Sequence, residues 1–433
     1  MQVFDSKKGG FSEFLKKRRL GQFDFSDKIQ HELKIIRSAV IAKGDEALSF
    51  YTEKFDKIKI DPQDFLIKEE DKQKALKLLT KNERKSIEDT IERVYGYHSK
   101  QKLQTWFSRS EDGLITGQLV APLKRAGIYV PGGKASYPSS VIMNAVPASA
   151  AGVNEIIMVT PPSDKLSYYV LAAAVLCGIK KIFKIGGPHA IFALAYGTET
   201  IPRADKIAGP GNIYVATAKK MVYGDVDIDM IAGPSEIAII CDEFADPELA
   251  AIDMLSQAEH DEMAVSTLIS NSAKLIKEVG RVLPALIKKE NRKDIIKKSI
   301  DSNASLVLTC SVNESIELAN ELAPEHLELY VKDPFEKLFL IKNAGAVFLG
   351  GNTPEAIGDY VAGPSHVLPT GGTARFFSPL DTLSFLKRTS VISSSPEFLS
   401  KSASDVKFFS EAEGLGAHGK SVSFRVRNLK KKL

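Results

Sequence analysis

The sequence predicts an α/β protein with two parallel-sheet units, and three observations carry that expectation. From about residue 125, short β-branched runs alternate with helical ones. Gly or Pro stands at the strand exits of RAGIYVPGG, EIIMVTPP, KKIFKIGG and DKIAGPGN. A second series of the same kind runs through IAIICDE, AVSTLIS, SLVLTCS and LELYVKD to AVFLGG. Strands that alternate with helices call for a parallel sheet with crossover helices. Ligands of such sheets bind outside the strand carboxyl ends, where these glycine turns lie.

Taken in order, residues 1–22 are charged, lack clear periodicity and read as an N-terminal arm. Between Ser26 and Lys100, apolar residues recur at three- and four-residue steps and predict helices. Residues 121–233 form one α/β unit. Residues 234–378 form a second, which the helical stretch 23–120 is expected to complete. Residues 379–433 read as a small separate piece.

At 433 residues the chain exceeds one typical core, in keeping with several domains. The net charge of +4 is nearly balanced. Its surplus sits in KKRR at 16–19 and RVRNLKKKL at 425–433, which read as solvated ends rather than a nucleic-acid site. The cysteines, Cys177, Cys241 and Cys310, are odd in number and lack CxxC spacing, which argues for small buried residues and a reducing compartment. The start has no apolar signal core. The longest apolar run, VLAAAVLCGI, is half of the ~20 residues a membrane span needs. A cytoplasmic protein with no membrane contact is expected.

The segment PELAAIDMLSQAEH predicts a helix that buries Leu249, Ile252 and Leu255 and ends with Gln257 and His260 on one face. That spacing suits an ordinary polar helix end as well as half of a metal site. Asp359 in GNTPEAIGDY and His418 in EAEGLGAH add donors. Together the four make a mixed nitrogen and oxygen set suited to Zn²⁺, although spacing alone does not bring them together. In LAPEHLELY, Pro324 ends a helix before Glu325 and His326. Adjacent acid and imidazole titrate on either side of neutrality and can move protons; an exposed strand-entry pair is the alternative. The turns at 129–140 and 208–212 fit neither a Walker loop nor GxGxxG, since Tyr214 stands where a third Gly would be. Ser235, in AGPSE, lacks the G-x-S-x-G context of a nucleophile.

GIYVPGG, KIAGPGN, IDMIAGPSE, MLSQAEH, LAPEHLEL, GDYVAGPSHVLPT and EGLGAH occur in this order, and with them the chain resembles the histidinol dehydrogenase family over essentially its whole length. IDMIAGPSE followed about 20 residues later by SQAEH is the most specific part. The resemblance implies two incomplete Rossmann-like parallel-sheet domains with small N- and C-terminal elements, in an intertwined homodimer. It also implies one zinc per subunit, held by Gln257, His260, Asp359 and His418, with His418 reaching across to the neighbouring subunit's site. The implied reaction is NAD-dependent oxidation of L-histidinol through the aldehyde to L-histidine, the last step of histidine biosynthesis.

In that reading His326 is the base for the alcohol proton, and Glu325 activates water for the second oxidation. Ser235, His366 and Glu413 join His326 and the metal ligands around the substrate, while Tyr129, His189 and Asn212 contact NAD. One departure stands out. The family turn GGAQA is GGPHA here, so His189 replaces a Gln and the dinucleotide contact is expected to be altered. A sibling dehydrogenase for another amino alcohol, a metal-dependent hydrolase and a nucleotide-binding scaffold are the competing readings.

Overall fold

The structure is a computed structural model that describes residues 1–431 apart from 12, 16–25, 133–136 and 164–165. The KKRR run and most of the GGKAS turn therefore lie outside the described residues. The chain divides into two compact units, Met1–Gln101 with Leu123–Phe385 and Lys102–Pro122 with Leu386–Leu433. In chain order the described strands are β1 (Gln2–Asp5), β2 (Trp106–Arg109), β3 (Ile115–Pro122), β4 (Arg125–Tyr129), β5 (Glu155–Val159), β6 (Lys181–Phe183) and β7 (Lys206–Ala208). They continue with β8 (Asp227–Ile228), β9 (Glu236–Cys241), β10 (Val265–Ser270), β11 (Ser305–Leu308), β12 (His326–Tyr330), β13 (Ala346–Leu349) and β14 (Leu386–Ser393).

The larger unit holds two sheets. One has the order β1-β11-β10-β9-β12-β13 and the other β6-β5-β4-β7-β8, and every pairing in both is parallel. β9 and β10 are buried at every residue, Ser266, Thr267 and Ser270 of β10 included, as strands covered on both faces are. Each strand exit in the sequence series became a strand end, and the two Rossmann-like units stand as expected.

Three assignments of segments to units are corrected. Residues 2–5 are a sheet strand: Gln2 pairs with Ser305 and Asp5 with Leu308, and Phe11 and Leu15 join the core under β9 and β11. The helices Asp27–Asp56, Glu69–Leu78 and Lys81–Ser99 cover the five-stranded sheet instead of completing the six-stranded one. Leu33, Ile36, Leu48 and Tyr51 pack with Ile157, Val159 and Phe183, and Val94 packs with Ile128 and Met143. Their apolar stripes were legible, but a stripe does not name the sheet it covers. Finally, β2 and β3 pair antiparallel with β14 in the smaller unit, which adds the helices Pro396–Ala412 and Gly416–Lys430. Cys177 and Cys241 are at least partly enclosed, whereas Cys310 is exposed, against expectation.

Candidate active site

The helix Pro247–Ala258 starts on Asp246, whose carboxylate accepts from the backbone N–H groups of Glu248 and Leu249 at 2.7 and 3.2 Å. It crosses from β9 to the parallel β10, so its last turn returns to the amino end of the sheet. Its buried face is Ala250, Ala251, Met254, Leu255, Gln257 and Ala258. Leu249 and Ile252 are 46% and 36% exposed, so the expected face is corrected. The small alanines sit with Met254 and Leu255 against Ile237, Ile239 and Cys241 of β9, and the helix is rotated toward them. The rotation carries Gln257 wholly inside: it is 0% exposed, and neither its Nε2 nor its Oε1 has a hydrogen-bond partner among the described residues. Buried amides are almost always satisfied, so this one marks a place where a ligand completes the structure.

Glu325 and His326 enter the sheet at the start of β12. Ala323, at φ 50°, ends the helix Val312–Leu322 in the left-handed region, and Pro324 follows. His326 is paired with Ile237, so both residues lie beside the start of β9. There Glu236 holds them with its two backbone groups. Its N–H donates to Glu325 Oε2 at 2.9 Å, and its carbonyl oxygen lies 3.2 Å from His326 Nδ1. A carbonyl can only accept, so the proton of neutral His326 belongs on Nδ1 and Nε2 is the basic nitrogen. Nε2 has no hydrogen-bond partner among the described residues and lies 3.8 Å from both Glu355 Oε1 and Asp359 Oδ1.

The short helix Glu355–Tyr360 supplies those two carboxylates. Glu328 Oε1 accepts from Glu355 N at 2.8 Å and anchors its first turn. Gly358 lets it lie on β13, since a Cβ there would come within 2.5 Å of the Phe348 ring. Ligand atoms of His260, Glu355 and Asp359 lie within 4.8 Å of one another. Glu355 is almost fully buried, with both carboxylate oxygens unpartnered among the described residues, yet it was not among the sequence candidates. The signal was present in PEAIGD, where a four-residue spacing puts Glu355 and Asp359 on one helix face. His366 joins through Nδ1, 3.1 Å from the carbonyl oxygen of Asp359.

Burial raises the Glu325 carboxyl to about 8 and also raises Glu355. Burial opposes charge on His326, but Glu325, Glu355 and Asp359 outweigh it and hold the imidazole up at about 10. Burial likewise opposes charge on Asp359, and the surrounding His326, His366 and His260 hold its carboxyl below the usual range.

This cluster sits at the amino ends of β9 and β12, the opposite end from the usual position in such sheets. The five-stranded sheet follows the rule. A groove of about 1010 Å³ opens past the carboxyl ends of its strands, lined by Tyr129, Gly132, Thr160, Pro188 and Asn212 among others. Tyr129 accepts from Gly187 N through its hydroxyl at 3.1 Å, and Asn212 caps the helix Ile213–Val222 through Oδ1. His189, expected at the dinucleotide, is enclosed and is not among the groove-lining residues. It is 0% exposed, with Nε2 3.1 Å from Thr52 Oγ1, and burial drops its imidazole to about 3. Pro188, in the first turn of the helix, lines the groove. Ser235 immediately precedes β9, at the amino end where the cluster lies. Glu413 and His418 are exposed in the smaller unit.

The cluster fits zinc: an enclosed amide with both polar atoms unpartnered stands one turn from an imidazole, which is grouped with two carboxylates. Fold and site together define an α/β protein with a groove past the strand ends of one sheet and a metal-capable acid–imidazole centre on the other. A family model described as histidinol dehydrogenase matches residues 21–426. The chain is 49% identical over 394 residues to histidinol dehydrogenase from Syntrophotalea carbinolica, covering 91% of each chain. It is 51% identical over 390 residues to that from Geobacter sulfurreducens, covering 90% of this chain and 91% of the relative. The crystal structure of histidinol dehydrogenase from Elizabethkingia anophelis superposes with a TM-score of 0.93 at 32% identity, over 99% of both chains. The chain belongs to the histidinol dehydrogenase family, the NAD-dependent, zinc-binding oxidoreductases of histidine biosynthesis.

Proposed function

We propose that this chain oxidises L-histidinol to L-histidine in two steps at the Gln257, His260, Glu355 and Asp359 cluster, with His326 and Glu325 moving the protons. What supports the reading most is the grouping of His260, Glu355 and Asp359 within 4.8 Å, with a carboxylate oxygen of Glu355 and of Asp359 each 3.8 Å from His326 Nε2. Gln257, His260 and Asp359 would hold the zinc, with Glu355 beside them. When bound, zinc orients the substrate's imidazole and amino nitrogens and offsets the negative charge of Glu355 and Asp359. NAD in the groove supplies the hydride acceptor for both oxidations.

With zinc offsetting the carboxylates that hold its imidazole up, His326 would be neutral and take the alcohol proton at Nε2, the Glu236 carbonyl keeping the other proton on Nδ1. An alcohol becomes a hydride donor as that proton leaves. Glu325 takes a proton from water for the second step, since an aldehyde donates hydride only once hydrated. Its raised pKa makes the carboxylate a stronger base than an exposed one. His366 and Ser235 flank the substrate. His418 and Glu413, exposed on the smaller unit, are delivered by a second copy of the chain, which makes the working form a homodimer. The biosynthetic family and the free cysteines support a cytoplasmic location. Among the described residues no helix is long and apolar enough to cross a membrane, and the balanced charge supports a protein without a nucleic-acid partner.

The deciding experiment supplies purified zinc-loaded protein with histidinol and NAD. Two NADH per histidinol consumed, with histidine as product, is the expected result. Release of a hydrolysis product without NADH would favour the hydrolase reading, and no turnover would favour the scaffold.

A further inference from the structure

The turn Ala208–Asn212 leaves β7 and feeds the helix Ile213–Val222, bringing Asn212 and Tyr214 to the groove. Its pivot is Gly209, at φ 118°, where a Cβ would lie 2.1 Å from the carbonyl oxygen of Tyr129, itself a groove residue. Both backbone groups of Gly209 are held by one buried ion pair. Lys219 Nζ donates to Gly209 O at 2.9 Å, and Asp229 Oδ2 accepts from Gly209 N at 2.8 Å. The two side chains, 3% and 1% exposed, also pair directly with each other. Asp229 is fixed in turn by its Oδ1, which accepts from Met230 N at 2.6 Å.

A buried ion pair is a poor way to add stability, because desolvation offsets its attraction and a well-packed apolar pair often serves as well. What an apolar pair cannot do is fix one residue's donor and acceptor at once. Such a clamp sets the turn in a single conformation before a ligand arrives. We propose that Lys219 and Asp229 are positioning residues for the dinucleotide: by clamping Gly209 they set the turn that presents Asn212 and Tyr214 to the groove. The inference rests on the reading of this groove as the NAD site.

The test uses the full-length, zinc-loaded enzyme and measures NAD binding by calorimetry, with histidinol affinity, zinc content and melting temperature alongside. Lys219→Met leaves Asp229 buried and unpaired, so both melting temperature and NAD affinity fall. The double variant Lys219→Met with Asp229→Asn removes the stranded charge and keeps an oxygen for Gly209 N–H. It regains melting temperature over the single variant, yet binds NAD at least fivefold more weakly than the parent, with histidinol affinity and zinc content within twofold. Parental NAD affinity in the double variant would overturn the inference, and so would equal losses of NAD and histidinol binding. Asn212→Asp keeps the helix cap and sets a carboxylate where the amide faces the groove. If it weakens NAD binding while the double variant does not, the groove reading stands and the clamp alone is wrong. If it leaves NAD binding unchanged, both fall.

Discussion

Glu355 and Asp359 stand one turn apart on a six-residue helix, and each places a carboxylate oxygen 3.8 Å from His326 Nε2. The helix that carries the metal-capable acids therefore also faces the imidazole proposed to accept the alcohol proton, and on that proposal metal occupancy and proton transfer are tied to one short element.

Glu355→Gln is expected to lower zinc affinity roughly 10- to 100-fold, the usual loss when a group around a metal changes. Metal analysis after dialysis against graded chelator checks it. Zinc retention equal to the parent's would remove Glu355 from the site.

Glu325→Gln keeps an oxygen for the Glu236 N–H but loses the base. Oxidation of the aldehyde should fall by about 10²–10⁴, while alcohol oxidation falls much less. Single-turnover NADH formation from each substrate separates the two steps, and equal losses would show that Glu325 serves both or neither.

Subunit sharing is tested by mixing His326→Asn and His418→Asn proteins after mild unfolding and refolding. Each alone should be nearly inactive. A statistical mixture should regain about one quarter of parental activity, because half the dimers carry one site with both histidines intact. No recovery, from hybrids shown to form, would place His418 in its own subunit's site or outside any.

Gly358→Ala puts a methyl 2.5 Å from the Phe348 ring. The helix must lift off β13, at a cost of about 1–3 kcal/mol for overpacking. Denaturant unfolding should show that loss together with weaker zinc binding. A destabilised variant with parental zinc affinity would mean that the helix position does not set the site.

His189 has its imidazole pulled down to about 3 by burial, against about 6.5 in an unfolded chain. Between those values the unfolded state binds one more proton. Stability is therefore fully present above about pH 6.5 and is lost as pH falls toward 3, by up to ~1.4 kcal/mol per pH unit. In His189→Gln that part of the acid slope should vanish in urea unfolding measured from pH 7 to 4. An unchanged slope would mean that the ring already accepts a proton in the fold.

Much of this molecule is local and was legible without coordinates. The strands ending in YVPGG, KIGG and IAGPG, and the helices between them, follow from β-branched runs, apolar periodicity and glycine exits. The motifs carried the family, and with it Gln257, His260, Asp359 and the Glu325–His326 pair. Glu355 was missed although its spacing to Asp359 was visible, because an acid at a helix start also reads as a favourable dipole partner.

What the sequence by itself determined is the set of elements, the parallel sheets and the chemical types gathered for the site. Only the tertiary structure decided which side chains are enclosed. It turned Leu249 and Ile252 outward and Gln257 in, buried His189 against Thr52, laid the N-terminal helices on the five-stranded sheet and put the acid–imidazole cluster at strand amino ends. The physical reason is range. Periodicity reports which residues are apolar within a few turns, whereas burial and proximity depend on the covering element, and here that element lies tens to hundreds of residues away.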